Sequence, residues 1–254
     1  MKKFIGLALA IGSLTSLQGA LANQSTDTSK TTQINEKFVQ MQVQQNTTIG
    51  KAIKSIVGHY PQQAGSIVGT ALDLYPDKYK EIIHSAISAQ PALAHEVVSI
   101  AIEKGISSCT SIVETAINAD PSYIDFVVTA AAHSTPEELK DIVRIAVITE
   151  PDSADYIVQS LAKEHPNKIV DIIQSAIGAV PLVGEYAVEA LLAIFPNDAE
   201  IVITTAVQES KAQQENLDKI IQAGKNSGVS SEDLGKYAIN GGATTEEISQ
   251  ILNK

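Results

Sequence analysis

An all-α chain folded as a right-handed α-solenoid of about eleven short helices, closed by atypical C-terminal helices, is predicted by three observations. The prolines stand in one register: Pro61, Pro76, Pro91, Pro121, Pro136, Pro151, Pro166, Pro181 and Pro196, every spacing being 15 residues or, once, 30. Counting each proline as position 1, positions 4, 7, 8, 11 and 12 are apolar in nearly every unit. A second period of 30 residues is laid over the first, so the units alternate between two kinds. An internal period of this kind is the signature of a stacked repeat, whose units bury their apolar faces only against neighbours.

The apolar stripe decides between helix and strand. The unit from Pro166 carries Ile169, Ile172, Ile173, Ala176 and Ile177, and the unit with Ile106 in the proline slot carries Cys109, Ile112, Val113, Ala116 and Ile117. Offsets of 0, 3, 4, 7 and 8 lie on one side of a helix, whereas a strand would alternate. Proline suits the first helical position, which needs no N–H partner, and acids follow it in Asp77, Glu137, Glu138, Asp152 and Asp198, near the positive end of the helix dipole. One continuous helix is excluded, because each interior proline would cost about 3 kcal/mol and force the residue before it out of helical geometry. Each unit is then one helix of about three turns, too short to be stable in water without its neighbours.

The longer period shows at position 4. It is small in Ala64, Ala94, Ala154 and Gly184, with Ile124 as the exception, and mostly larger in Tyr79, Cys109, Leu139 and Ile169, with Ala199 as the exception. Two-helix hairpins therefore form the expected unit. The architecture resembles tetratricopeptide and HEAT solenoids in its layered geometry. Their signature residues are absent and the unit is shorter, so the resemblance implies layered hairpins and no functional residue.

In chain order, Met1 to Ala22 reads as a cleavable signal peptide: Lys2 and Lys3, the apolar run Phe4 to Ile11, and the Ala20-Leu21-Ala22 cleavage site. The mature chain is expected to begin at Asn23 and to be periplasmic or extracellular, without a lipoprotein anchor because no cysteine lies near the cut. Residues 23–33 are rich in Ser, Thr, Asn and Gln and read as a spacer. Between Ile34 and Gln45 an N-terminal capping helix, with Ile34, Phe38 and Met41 on one side, is preferred over an exposed strand. Residues 46–60 lack proline yet keep the stripe in Ile49, Ala52, Ile53, Ile56 and Val57, so the repeat domain runs over 46–210. A cap over 211–254 follows: a helix through Leu217, Ile220 and Ile221 ending near Gly224, a short one from Ser230 to Gly241-Gly242, and a last one opened by the Thr244/Glu247 capping box.

Composition bounds the partners. Net charge is −11, and −13 without the two leader lysines, which excludes a basic nucleic-acid surface. No stretch after the leader is long and apolar enough for stable membrane insertion. The one cysteine, Cys109, lies on an apolar stripe and reads as a small buried hydrophobe. The histidines His59, His84, His95, His133 and His165 occupy five different repeat positions, so stacking does not gather them. No H-E-x-x-H, paired-cysteine, EF-hand, P-loop or G-x-S-x-G pattern occurs, so neither an enzyme nor a bound cofactor is expected.

One constellation stands outside the stripe. Asp125-Phe126, Asp155-Tyr156 and Glu185-Tyr186 recur as acid–aromatic pairs 30 residues apart, with each aromatic nearly opposite the core side of its helix. They should line up on one outer face, roughly 9–10 Å apart by ordinary helix packing. Either they pack on one another and shield the helix starts, or they form a docking strip for an extended peptide, a glycan or another copy of the chain. Two functions follow: an exported non-catalytic binding or scaffold protein that uses this surface for a protein, peptide or glycan partner, and a self-assembling structural protein of the envelope or matrix. Terminal helices that cover the open end of the core favour the first.

Overall fold

The computed structural model describes residues 36–210 and 214–252; the expected leader, its cleavage site, the spacer and Ile34 lie outside the described residues. Within them the chain is helical throughout, and no strand occurs among the described residues. Helix α1 covers 36–45. Then come α2 (Ile49–His59), α3 (Ala64–Leu74), α4 (Tyr79–Ala89), α5 (Ala94–Glu103) and α6 (Cys109–Ala119). They are followed by α7 (Ile124–Ser134), α8 (Leu139–Thr149), α9 (Ala154–Glu164), α10 (Ile169–Ala179), α11 (Gly184–Ile194) and α12 (Ala199–Ser210). The terminal helices are α13 (Gln214–Asn226), α14 (Ser231–Asn240) and α15 (Thr245–Leu252).

Proline does not open the α-helix itself. It opens a three-residue 3-10 turn, Pro61–Gln63 in the first instance, and the α-helix begins at position 4. Hydrogen bonding explains the offset. The Tyr60 N–H, at position 15, donates to the Ile56 carbonyl at 2.8 Å and closes α2, while the Tyr60 carbonyl accepts from the Gln63 N–H at 3.0 Å. Proline between them has no N–H to leave unpaired, so a chain reversal is made without an orphan donor. The same pair of bonds recurs at later junctions, as at Tyr75, whose N–H donates to Ala71 and whose carbonyl accepts from Lys78, each at 2.9 Å.

The two units without proline keep the phase by another device. Thr48 and Ser108, both at position 3, are N-caps whose hydroxyls accept from the Lys51 and Ser111 N–H groups at 3.2 and 3.3 Å. Gly105, at φ +60°, makes the reversal ahead of α6 that proline makes elsewhere. Helix α6 thus starts at position 4 like the others.

Packing follows the 30-residue period. From α2 to α12 each helix packs most extensively on a helix two places away: α2, α4, α6, α8, α10 and α12 form one row, and α3, α5, α7, α9 and α11 the other. Adjacent helices meet across the two rows, with the stripes between them; Ile172, Ile173, Ala176 and Ile177 are fully buried and Ile169 is 6% exposed. Position 4 is small in the odd row for a visible reason at Gly184: a Cβ there would stand 3.2 Å from Ile220 Cδ1. The layered hairpin is therefore the unit of this chain.

Two local expectations are corrected. Residues 36–45 are helical, but the inward side is set by Val39, fully buried, with Phe38 and Val43, while Met41 is 45% exposed. The Phe38 ring meets Tyr60 edge-on at 5.7 Å and ties this helix to the first repeat. At the other end, Gly224 does not stop α13. It lies inside the helix, where a Cβ would meet Leu234 Cδ2 at 2.5 Å and Ile203 Cδ1 at 3.0 Å, so this glycine serves close packing. The helix ends at Asn226, followed by Gly228 at φ +89°.

The rows also outlast the proline register. Helix α13 stacks on α11 and α14 on α12, continuing both rows by one more step, and α15 packs on α14. Gly242 at φ +95° follows α14, and the Thr244/Glu247 capping box opens α15, with the Thr244 N–H donating to Glu247 Oε2 at 2.7 Å and the Glu247 N–H to Thr244 Oγ1 at 3.2 Å.

Candidate functional site

Stacking within a row brings position 5 of one helix against position 6 of the helix two places on. In the even row the Gly50 N–H donates to Glu81 Oε1 at 2.9 Å, and Lys140 Nζ lies 2.9 Å from Asp171 Oδ1. In the odd row the Glu96 carboxylate occupies the place a Cβ on Gly65 would take. This register forms a rung where Asp155, at position 5, lies beside Tyr186, at position 6, both lining one groove; Asp125 and Tyr156 hold the equivalent positions one step earlier.

The three rings are exposed, Phe126 by 45%, Tyr156 by 62% and Tyr186 by 54%, while Asp125, Asp155 and Glu185 are half-buried beside them. They do not pack on one another. Phe126 turns to Tyr123 of its own unit, centroid to centroid 5.7 Å, and Tyr156 and Tyr186 contact no other ring among the described residues. Neither tyrosine hydroxyl has a hydrogen-bond partner there. Tyr79 makes the contrast: hydrogen bonds to Ser107 and Ser111 (2.8 Å to the latter) hold its phenol below the usual range, so it is a structural tyrosine.

Between α9 and α11 the rung opens into a groove of about 310 Å³ lined by Asp155, Tyr156, Gln159, Tyr186, Glu189 and Ala190. The structure thus joins Asp155, Tyr156 and Tyr186 in one concavity and adds Gln159, Glu189 and Ala190, which the sequence reading missed. Position 9 follows position 6 by one helical turn and shares its face, but which of these side chains line a groove depends on the offset between stacked helices. Asp125, Phe126 and Glu185 lie along the same face but do not line the groove.

The even row offers a different surface. A groove of about 420 Å³ between α4 and α6 is lined by Lys80, Glu81, His84, Glu114 and Asn118 among others, with charges of both signs and no tyrosine or phenylalanine. Further along that row Asp171 is held by Lys140 and Lys168, whose hydrogen bonds keep its carboxyl below the usual range. On the odd-row strip Asp125, Asp155, Glu185 and Glu189 have no ion pair and no side-chain hydrogen bond among the described residues.

Cys109 is 4% exposed, burial pushes its thiol up, and Thr135 Oγ1 donates to its sulfur at 3.3 Å. Among the described residues no cluster of three or more His, Cys, Asp or Glu is arranged to hold a metal ion. No described helix is long and apolar enough to cross a membrane.

By architecture the chain is an all-α helical repeat of the solenoid class, with proline-opened units of 15 residues. No protein-family model, no curated protein and no solved structure matches it.

Proposed function

We propose that this chain is an exported, non-catalytic binding protein that holds an elongated partner along the odd-row face. One observation carries the reading: Tyr156 and Tyr186 are more than half exposed, without ring contacts or hydroxyl partners, over a groove whose acids are unpaired. A tyrosine kept for stability would be packed or bonded, whereas an open ring with a free hydroxyl suits a partner that is apolar on one side and polar on the other. Against self-assembly along the solenoid axis, α13 and α14 extend the two rows without the proline register and α15 packs on α14, the kind of atypical terminal unit that caps a solenoid.

Replacing Phe126, Tyr156 and Tyr186 together by serine tests this. Exposed sites contribute within about ±0.5 kcal/mol each, so helicity and melting should change little, while capture of the partner from an envelope extract should be lost. Phe126 carries the largest share of any melting change, because it alone stacks on a second ring. A variant that melts many degrees lower would make the strip structural, and a folded variant with undiminished capture would move the binding surface elsewhere. Light scattering after size exclusion should give a discrete species; growth of polymer with concentration would favour the self-assembling alternative.

A further inference from the structure

We infer that the odd-row strip receives an extended cationic peptide whose lysine or arginine side chains recur every third residue. This rests on the binding reading above and adds the chemistry and register of the partner.

Charge is the first argument. Of the even-row acids at position 6, Asp171 is neutralised by Lys140 and Lys168 and Glu81 accepts the Gly50 N–H, while Asp141 is exposed without an ion pair among the described residues. The odd-row strip presents Asp125, Asp155, Glu185 and Glu189 without a cation of its own. Lys163 is tied to the groove wall, but its ammonium donates to Gln159 Oε1 at 2.9 Å and leaves the acids unpaired. A carboxylate beside an open aromatic face is a cation receptor twice over, through the charge and through the ring quadrupole. The two features coincide where Asp155 and Tyr186 line one groove, and Asp125 and Tyr156 hold the equivalent repeat positions one step earlier.

Spacing is the second argument. Helices stacked in a row lie about 8–10 Å apart. A polyproline-II strand advances about 3.1 Å per residue with three residues per turn, so residues i, i+3 and i+6 fall about 9.3 Å apart on one side. Successive cations of such a peptide would meet successive rungs. A second copy of this chain is a poor occupant, because at net charge −11 its surface would bring acid against acid. A neutral glycan would leave the carboxylates without a counter-charge.

The direct test is fluorescence anisotropy with labelled twelve-residue peptides at about 0.15 M salt, where screening suppresses unspecific attraction. One peptide has four successive Lys-Pro-Pro triplets, a second has the same composition with its lysines clustered at one end, and a third has glutamine in place of lysine. The spaced peptide should bind at least about tenfold more tightly than the clustered one, as several modest cation contacts multiply along one strand. The triple change Asp125→Asn, Asp155→Asn, Glu185→Gln should remove about tenfold of that affinity. Removing three exposed even-row acids by Glu137→Gln, Asp141→Asn and Asp198→Asn should change it less than about threefold. Equal binding of spaced and clustered peptides, equal effects of the two triple variants, or no binding of either lysine peptide would each overturn the inference. In the last case, loss of natural-partner capture by the Phe126/Tyr156/Tyr186 serine variant would leave the binding reading standing; retained capture would remove both.

Discussion

Excising residues 121–135 should damage this protein far more than excising residues 121–150, although the second deletion is twice as long. Removing 30 residues takes out α7 and α8 together, so α9 follows α6 and every later helix stays in its own row. The loss is one hairpin and its interface from a quasi-one-dimensional stack, and a shorter cooperative protein should result. Removing 15 residues takes out α7 alone. Leu139 would then take the place of Ile124, but Ile169 would enter the odd-row site of Ala154, and Ala154 and Gly184 would leave voids in the even-row sites of Leu139 and Ile169. Overpacked sites typically cost about 1–3 kcal/mol each, and for a chain of this size each kcal/mol lowers Tm by about 2–4 °C. A drop of about 10 °C or more beyond that of the 30-residue deletion, or loss of a cooperative transition, is expected by circular dichroism. Equal losses would mean that the rows are interchangeable.

The second large effect is at a single side chain. Ile172→Ala should destabilise by about 2–5 kcal/mol, the usual range for emptying a packed isoleucine site. Ile172 is fully buried on α10, which packs on α8 and α12 within its row and on α9 and α11 across it, so no one neighbour can collapse into the space. Lys168→Ala, four residues earlier, removes only an exposed ion pair to Asp171 at 3.3 Å and should cost less than about 1 kcal/mol. Urea titrations of the two variants give the comparison directly. Similar values at both sites would contradict the stripe.

Much of the fold was legible because the repeat writes the same physical constraint many times. Residues 46–60 were recognisable as a unit without proline, since Ile49, Ala52, Ile53, Ile56 and Val57 must face inward whatever opens the helix. What opens it was less legible: Thr48 and Ser108 act as caps only through main-chain geometry, and proline proved to start a 3-10 turn. Gly224 misled because a glycine near a helix end signals either a stop or a close approach, and only the facing Leu234 and Ile203 decide between them. In the strip, the period placed Tyr156 and Tyr186 on one face. The contribution of Gln159 and Glu189 depends on the offset between stacked helices, which a linear pattern does not contain. Phe126 shares the period yet stacks on Tyr123, a neighbour special to its own unit.

The account turns on the odd-row face being the working surface, and residue-resolved NMR during titration with the spaced Lys-Pro-Pro peptide tests that most directly. Amide shifts should move at positions 5, 6 and 9 of α7, α9 and α11, with Tyr156, Gln159, Tyr186 and Glu189 among the largest, while α8 and α10 stay unchanged. Shifts concentrated on the even-row helices, or spread evenly over every acidic surface, would contradict it.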